Sequence, residues 1–263
     1  MAWIFDTFSM NKGHSVLSVV TGKPLAIGGS LGREEATARG CLYCIRDAAA
    51  KLDRSVADMR VAVQGFGNVG SYLALFLHQE GAIVTAISDS TTALYNTKGI
   101  DVPAALAYKR EFHTLSGLRD AEAITNEDLL LLDVDVLAPC ALEQVISTEN
   151  ADRVQASIIC EGANGPITPA ADTILEEKGV LILPDVLANA GGVVVSYFEW
   201  VQGLQEYFWK EAEVNAKLND IVSRVFEETW ATAELRKIPM RVAAYGLAVQ
   251  RVAEATVIRG IYP

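Results

Sequence analysis

The sequence predicts an α/β protein built on a doubly wound, mostly parallel sheet with helices on both faces. Two observations carry that expectation. From Leu52 onward, short β-branched apolar runs alternate with segments of helical periodicity, as expected of strands buried on both faces and joined by crossover helices. A glycine-spaced turn at 65–70 then sits between the first such run and the helix that follows it.

Residues 1–20 read as mainly helical, with Trp3, Phe5 and Phe8 apolar enough to need a partner. Cys41 and Cys44 fall within a second helical pattern. No further CxxC or His pair completes a zinc set, so they read as a packed helix face, and no metal site is identified. Strands are expected at 60–64, 82–88, 134–138, 157–161 and 180–183, each short and almost wholly apolar. Helices are expected at 69–80, 102–111, 126–132 and 170–177, the last opened by Thr168-Pro169. After Asn189 no strand pattern remains. Residues 193–209, 210–234 and 240–258 read as three helices, the last preceded by Pro239.

Composition limits function. A chain of 263 residues with 51% hydrophobic content can bury a large core, and 22 basic against 33 acidic residues argue against a phosphate-tracking nucleic-acid surface. Four cysteines are too few for a disulfide scaffold, and no signal peptide precedes them, so a reducing cytoplasm is the expected home. The longest apolar stretch, about 191–197, falls far short of the roughly 20 residues a membrane span requires.

The stretch RVAVQGFGNVGSYLALFLHQEGAIVTAISD at 60–89 is the most informative. Gly65 allows a tight turn, Gly67 lets backbone approach a pyrophosphate, and Gly70 permits close helix–strand contact; Phe66, Asn68 and Val69 complete the turn. The helix N-terminus offers free N–H groups and partial positive charge. Asp89, about 20 residues further on at the end of the next strand, completes a Rossmann-type dinucleotide fingerprint. A carboxylate there accepts from ribose hydroxyls and repels a 2′-phosphate, which favours NAD. Ser88, Ser90, Thr91 and Thr92 could donate to a phosphate, so NADP stays open, although no Lys or Arg follows before Lys98. The expected division is a helical hinge segment at 1–20, a dinucleotide-binding domain at 21–192 and a helical segment at 193–263.

Several segments together resemble glutamate dehydrogenase: MAWIFDTFSM, VTGKPLAIGGSLGREEATARG, GFGNVG, LAPCALEQVI, EGANGPITP, LPDVLANAGGVVVSYFEWVQ and the closing RVAEATVIRGIYP. Their order is that of the second, cofactor-binding half of the family's chain. The resemblance implies that Thr37 and Asn189 hydrogen-bond the nicotinamide carboxamide and that Ala138 and Asn164 line its side of the cleft. Asn164 sits beside Gly165 and Asn189 two residues before Gly191, where they could simply serve turns. It further implies that Ser196 donates to the side-chain carboxylate of glutamate while Val193 shapes the pocket wall. Leucine and phenylalanine dehydrogenases resemble the segment too, but carry an apolar residue at the position of Ser196. As an ordinary helix residue, Ser196 would instead bond back to the preceding turn.

The family's catalytic lysine belongs to a GGxKGG-type segment and its proton-transferring aspartate to a PAPDV-type segment, and this sequence contains neither; Asp6 and Lys178 match neither context. The expectation is a cofactor-binding unit without turnover of its own, whose parent, a homo-oligomer, converts L-glutamate to 2-oxoglutarate and ammonia. Exposed Trp3, Phe5 and Tyr262 would then favour self-association rather than the family's hexamer. A dinucleotide-sensing regulatory subunit is the competing reading.

Overall fold

The computed structural model describes residues 1–260, so Tyr262 lies outside the described residues. Seven strands form one sheet in the order β4-β3-β2-β1-β5-β6-β7. They are β1 (Arg60–Gln64), β2 (Ile83–Ser88), β3 (Ala93–Tyr95), β4 (Glu122–Ile124), β5 (Val136–Pro139), β6 (Ile158–Cys160) and β7 (Leu181–Leu183). The five strands anticipated from apolar runs are parallel to one another, with Val61 opposite Val84 on one side and Val136 on the other. Strands β3 and β4 were not anticipated. They are three residues long and antiparallel, and they extend the sheet beyond β2.

Ten α-helices accompany the sheet among the described residues: α1 (Ala2–Lys12), α2 (Ala36–Lys51), α3 (Asn68–Gln79), α4 (Val102–Phe112), α5 (Asn126–Leu130), α6 (Pro169–Glu177), α7 (Asp185–Ala188), α8 (Gly191–Gln205), α9 (Glu211–Arg236) and α10 (Met240–Arg259). Local chemistry sets several starts. Asp101 accepts from Ala104 N at 2.9 Å to cap α4, Thr125 and Asp128 form a reciprocal capping box on α5, and Thr168 with Pro169 opens α6.

The strand period of two divides the core. Val61, Val63, Val136, Ala138 and Ile158 face the cluster that holds α2, α3, α8 and α9, whereas Ala62, Leu137 and Ile159 face α5 and α6. Cys41 and Cys44 are fully buried on α2, as a packed helix face requires. The amino-terminal segment is less helical than expected: α1 ends at Lys12, where Gly13 takes a left-handed conformation, and only a short 3-10 turn at Leu17–Val19 follows. Helix α1 buries no residue, leaving Trp3 89% exposed, while Phe5 is half-buried. Among the described residues no helix is long and apolar enough to cross a membrane.

Candidate functional site

The chain runs outward from β1 through β2, β3 and β4, then crosses back to place β5 on the other side of β1. That reversal opens a crevice beyond the carboxyl ends of β1 and β5, where open α/β sheets take ligands. Two adjoining hollows occupy it, of about 590 and 660 Å³, and residues Cys140–Leu142 line both.

The first hollow is framed by the turn after β1. Gly65 has φ +94°, a left-handed value that suits glycine, and a Cβ there would stand 2.7 Å from Ala141 Cβ. A Cβ on Gly70 would stand 1.8 Å from Gly65 O, so its absence lets α3 close onto the turn. Gly67 differs from both. A Cβ there would meet nothing within 4 Å, so the space beside its backbone is open, and no side chain caps the α3 N-terminus. Phe66 is buried and borders the hollow, Val69 lines the neighbouring one, and the Asn68 side chain donates to Glu34 O at 2.8 Å. These features form an anion-compatible corner of bare amides.

Ser88 and Asp89 close the far wall at the end of β2. Ser88 Oγ accepts from Gly65 N at 3.1 Å, tying β2 to the turn. Asp89 Oδ1 accepts from Thr91 N at 2.8 Å and Thr91 Oγ1 at 2.6 Å, and Oδ2 accepts from Leu115 N at 2.8 Å and from the Lys109 ammonium. Burial alone would raise the Asp89 carboxyl, but the Lys109, Thr91 and Leu115 donors outweigh it and hold it well below the usual carboxylate range. Lys109 also lines the hollow. No Lys or Arg stands between Asp89 and Lys98 in the sequence, and the folded α4 delivers Lys109 from further along the chain.

The second hollow gathers Thr37, Asn164, Asn189 and Val193. Glycines make the α2–α8 crossing that brings Thr37 there: a Cβ on Gly191 would stand 2.0 Å from Ala36 O, and one on Gly192 2.5 Å from Thr37 Oγ1. Asn189 Nδ2 donates to Asn164 Oδ1 at 2.7 Å, which joins the loops after β6 and β7. Ala138, in β5, is fully buried and backs the crevice without lining either hollow. Val193 is 74% exposed, and Ser196 Oγ donates to Gly192 O at 2.9 Å, the back-bonded arrangement of a helical serine. Arg33, which lines this hollow with its Nε buried and unpaired, and Gln64, whose buried Oε1 is likewise unpaired in the first, were not singled out in the sequence. Both lie inside or beside motifs that were, so adjacency was the available signal.

Lys178 donates to the carbonyls of Asp152 at 2.5 Å and Val154 at 2.7 Å, a structural task away from the crevice, and Asp6 is exposed on α1. Among the described residues no cluster of three His, Cys, Asp or Glu side chains is placed to hold a metal. A third cavity, of about 390 Å³, lies at the α9–α10 turn against β7 and contains none of the candidate binding residues named in the sequence.

Known proteins with this architecture are numerous. The chain is 52% identical over its full length to the glutamate dehydrogenase of Thermotoga maritima, covering 64% of that protein. It is 46% identical to the catabolic NAD-specific glutamate dehydrogenase of Bacillus subtilis, with 99% of this chain aligned to 61% of that one. The crystal structure of the hetero-hexameric glutamate dehydrogenase of Thermus thermophilus, in its leucine-bound form, superposes over the whole chain with a TM-score of 0.93 at 37% identity, and 62% of that chain is covered. This chain thus spans less than two thirds of the length of these relatives. The model of the Glutamate/Leucine/Phenylalanine/Valine dehydrogenase family matches residues 28–260, and the chain belongs to that family.

Proposed function

We propose that this chain is the coenzyme-binding unit of a glutamate dehydrogenase, and that it seats a nicotinamide dinucleotide across both hollows of the β1–β5 crevice. One observation carries the reading: an uncapped helix N-terminus beside open space at Gly67 lies at one end of a continuous crevice, and Thr37, Asn164 and Asn189 lie at the other. The free amides of the turn from Phe66 to Gly70 take the pyrophosphate, Ser88 and Asp89 face the adenine ribose, and Ala138 backs the fold between the two ends. Thr37 and Asn189 hold the carboxamide and so decide which face of the ring is presented. The bound coenzyme supplies hydride transfer, and these residues bind and orient it.

NAD is the preferred coenzyme in this reading. The carboxylate at Asp89 is ionised, and in this reading its charge at the adenine-ribose end disfavours a 2′-phosphate; the Bacillus subtilis relative carries NAD-specificity in its name. Lys109 beside it offers a cation to a 2′-phosphate, so NADP binds more weakly rather than not at all. The substrate pair is L-glutamate and 2-oxoglutarate, with Ser196 turning from Gly192 O toward the substrate carboxylate and Val193 forming the wall.

In this division residues 1–20 serve as a hinge segment, 21–192 as the dinucleotide-binding unit and 193–263 as the helical segment that carries the substrate contacts. Four unpaired thiols suit a reducing cytoplasm. Calorimetric titration tests the reading: NADH binds with micromolar to millimolar affinity and more tightly than NADPH, and the 263-residue chain alone does not reduce NAD in the presence of glutamate. Absence of NADH binding contradicts the coenzyme assignment, and turnover by this chain contradicts the placement of the catalytic groups outside it.

A further inference from the structure

Arg241, in the first turn of α10, is held by carboxylates from three separate elements. Its Nη1 and Nη2 donate to the two oxygens of Glu161 at 2.9 and 2.8 Å, and its Nε and Nη2 donate to Asp172 at 2.9 and 3.0 Å. Asp185 stands 3.8 Å away. Glu161 is wholly buried where β6 ends, Asp172 lies in α6 and Asp185 opens α7. Only a planar guanidinium with donors along two edges can grip two carboxylates in this way; an ammonium cannot.

The bonds continue beyond the ion cluster. Glu161 Oε2 also accepts from Asp185 N at 2.7 Å, and Asp185 Oδ2 accepts from Gly165 N at 2.9 Å. Gly165 follows Asn164, whose Oδ1 accepts from Asn189 at 2.7 Å. A short path of hydrogen bonds and one peptide link therefore runs from α10 to both asparagines of the second hollow. None of its side-chain bonds reaches Asp89 or the 65–70 turn. As a source of stability alone, a buried ion cluster is a poor choice, because apolar residues of similar volume commonly do as well.

We propose that Arg241 is a positioning residue for the nicotinamide end of the crevice: it fixes the loops after β6 and β7 so that Asn164 and Asn189 meet the carboxamide, and it makes the seating of α10 a determinant of that geometry. The proposal rests on the coenzyme reading above. It assigns the adenine and pyrophosphate end no dependence on Arg241, so two ligands separate its effect. ADP-ribose probes the end without nicotinamide, and NADH probes both.

The test is titration of the 263-residue chain with NADH, followed by the enhancement of reduced-nicotinamide fluorescence, and with ADP-ribose, followed by calorimetry. Two variants are compared with the parent. Arg241→Lys keeps the charge and loses the planar grip; Asp185→Ala leaves the Arg241–Glu161 pair intact and removes the acceptor for Gly165 N. In each, NADH affinity falls about tenfold with a changed fluorescence enhancement, while ADP-ribose affinity stays within about twofold. Rescue by lysine to parental NADH affinity, unchanged NADH affinity in Asp185→Ala, or equal losses for the two ligands in either variant would overturn the proposal, the last by showing a structural role. The parent is measured first: if it binds neither ligand, the coenzyme reading itself fails and takes this inference with it. If it binds both, any failure belongs to Arg241 alone.

Discussion

Gly67 and Gly70 stand three residues apart in one turn, yet they answer to different constraints. A Cβ at Gly67 enters empty space, whereas one at Gly70 enters the Gly65 carbonyl. Gly67→Val should therefore fold with a melting temperature close to the parent and lose at least about tenfold in NADH affinity, because the side chain occupies the ligand's space. Gly70→Ala should lose about 2 kcal/mol of stability or more through overpacking. Paired thermal melts and NADH titrations separate the two, and a destabilised but fully binding Gly67→Val variant would contradict the assignment. Asp89 supplies a pH signature at the same scale. Its folded-state pKa lies below the unfolded value of about 3.9, so the stability it contributes is present above that pH and is lost as pH falls through the folded value. Urea unfolding from pH 5 to pH 2 should show a steep acid limb, flattened in Asp89→Asn; an identical limb in the variant would mean other carboxylates carry it.

At the scale of elements, buried strands and amphipathic helices announce themselves, and partnerships do not. β1, β2 and the crossover helices were legible because unbroken apolar runs and 3.6-residue patterns report burial directly. β5 begins at Val136, later than its apolar run, and Asp135 just ahead of it uses its side chain to accept from Arg60 N at 2.7 Å. β3 and β4 were illegible: β3 is flanked by polar residues, and Glu122–Ile124 is partly exposed. Lys109 and Arg241 were missed for another reason, since each acts on residues 20 to 80 positions away that only the fold brings near. The same holds for Lys23 and Glu199, whose fully buried side chains pair at 2.5 Å and tie the loop before α2 to α8. Glu199 also accepts from Gly22 N at 2.8 Å. Removing one partner leaves the other charge buried and unpaired, so Lys23→Met should cost about 3–5 kcal/mol in chemical unfolding. A loss below about 1 kcal/mol would show that solvent reaches the pair.

Across the whole molecule, apolar surface is unevenly spent. The sheet and its flanking helices share a dense core, while α1 and the outer stripe of α10 leave Trp3, Ile4, Val249 and Val252 more than half exposed. Contiguous patches of that kind drive association, and the net charge of −11 opposes it only weakly at moderate salt. Sedimentation velocity should therefore show concentration-dependent association that strengthens with salt and weakens in a Trp3→Ser variant. A strictly monomeric parent at high concentration would contradict that expectation. Fold, crevice and family were all within reach of the sequence because the motifs that carry them are local. How the two ends of the crevice are held apart and braced was not, because that work is done by side chains that meet only across the folded molecule.

The claim on which the rest depends is that a nicotinamide dinucleotide lies across the β1–β5 crevice with its diphosphate against the start of α3. A crystal structure of the chain grown with NADH tests it most directly. The account predicts phosphate oxygens within hydrogen-bond distance of backbone amides in the 65–70 turn and the nicotinamide between Thr37 and Asn189. A coenzyme bound elsewhere, or a turn left bare at saturating NADH, would contradict it.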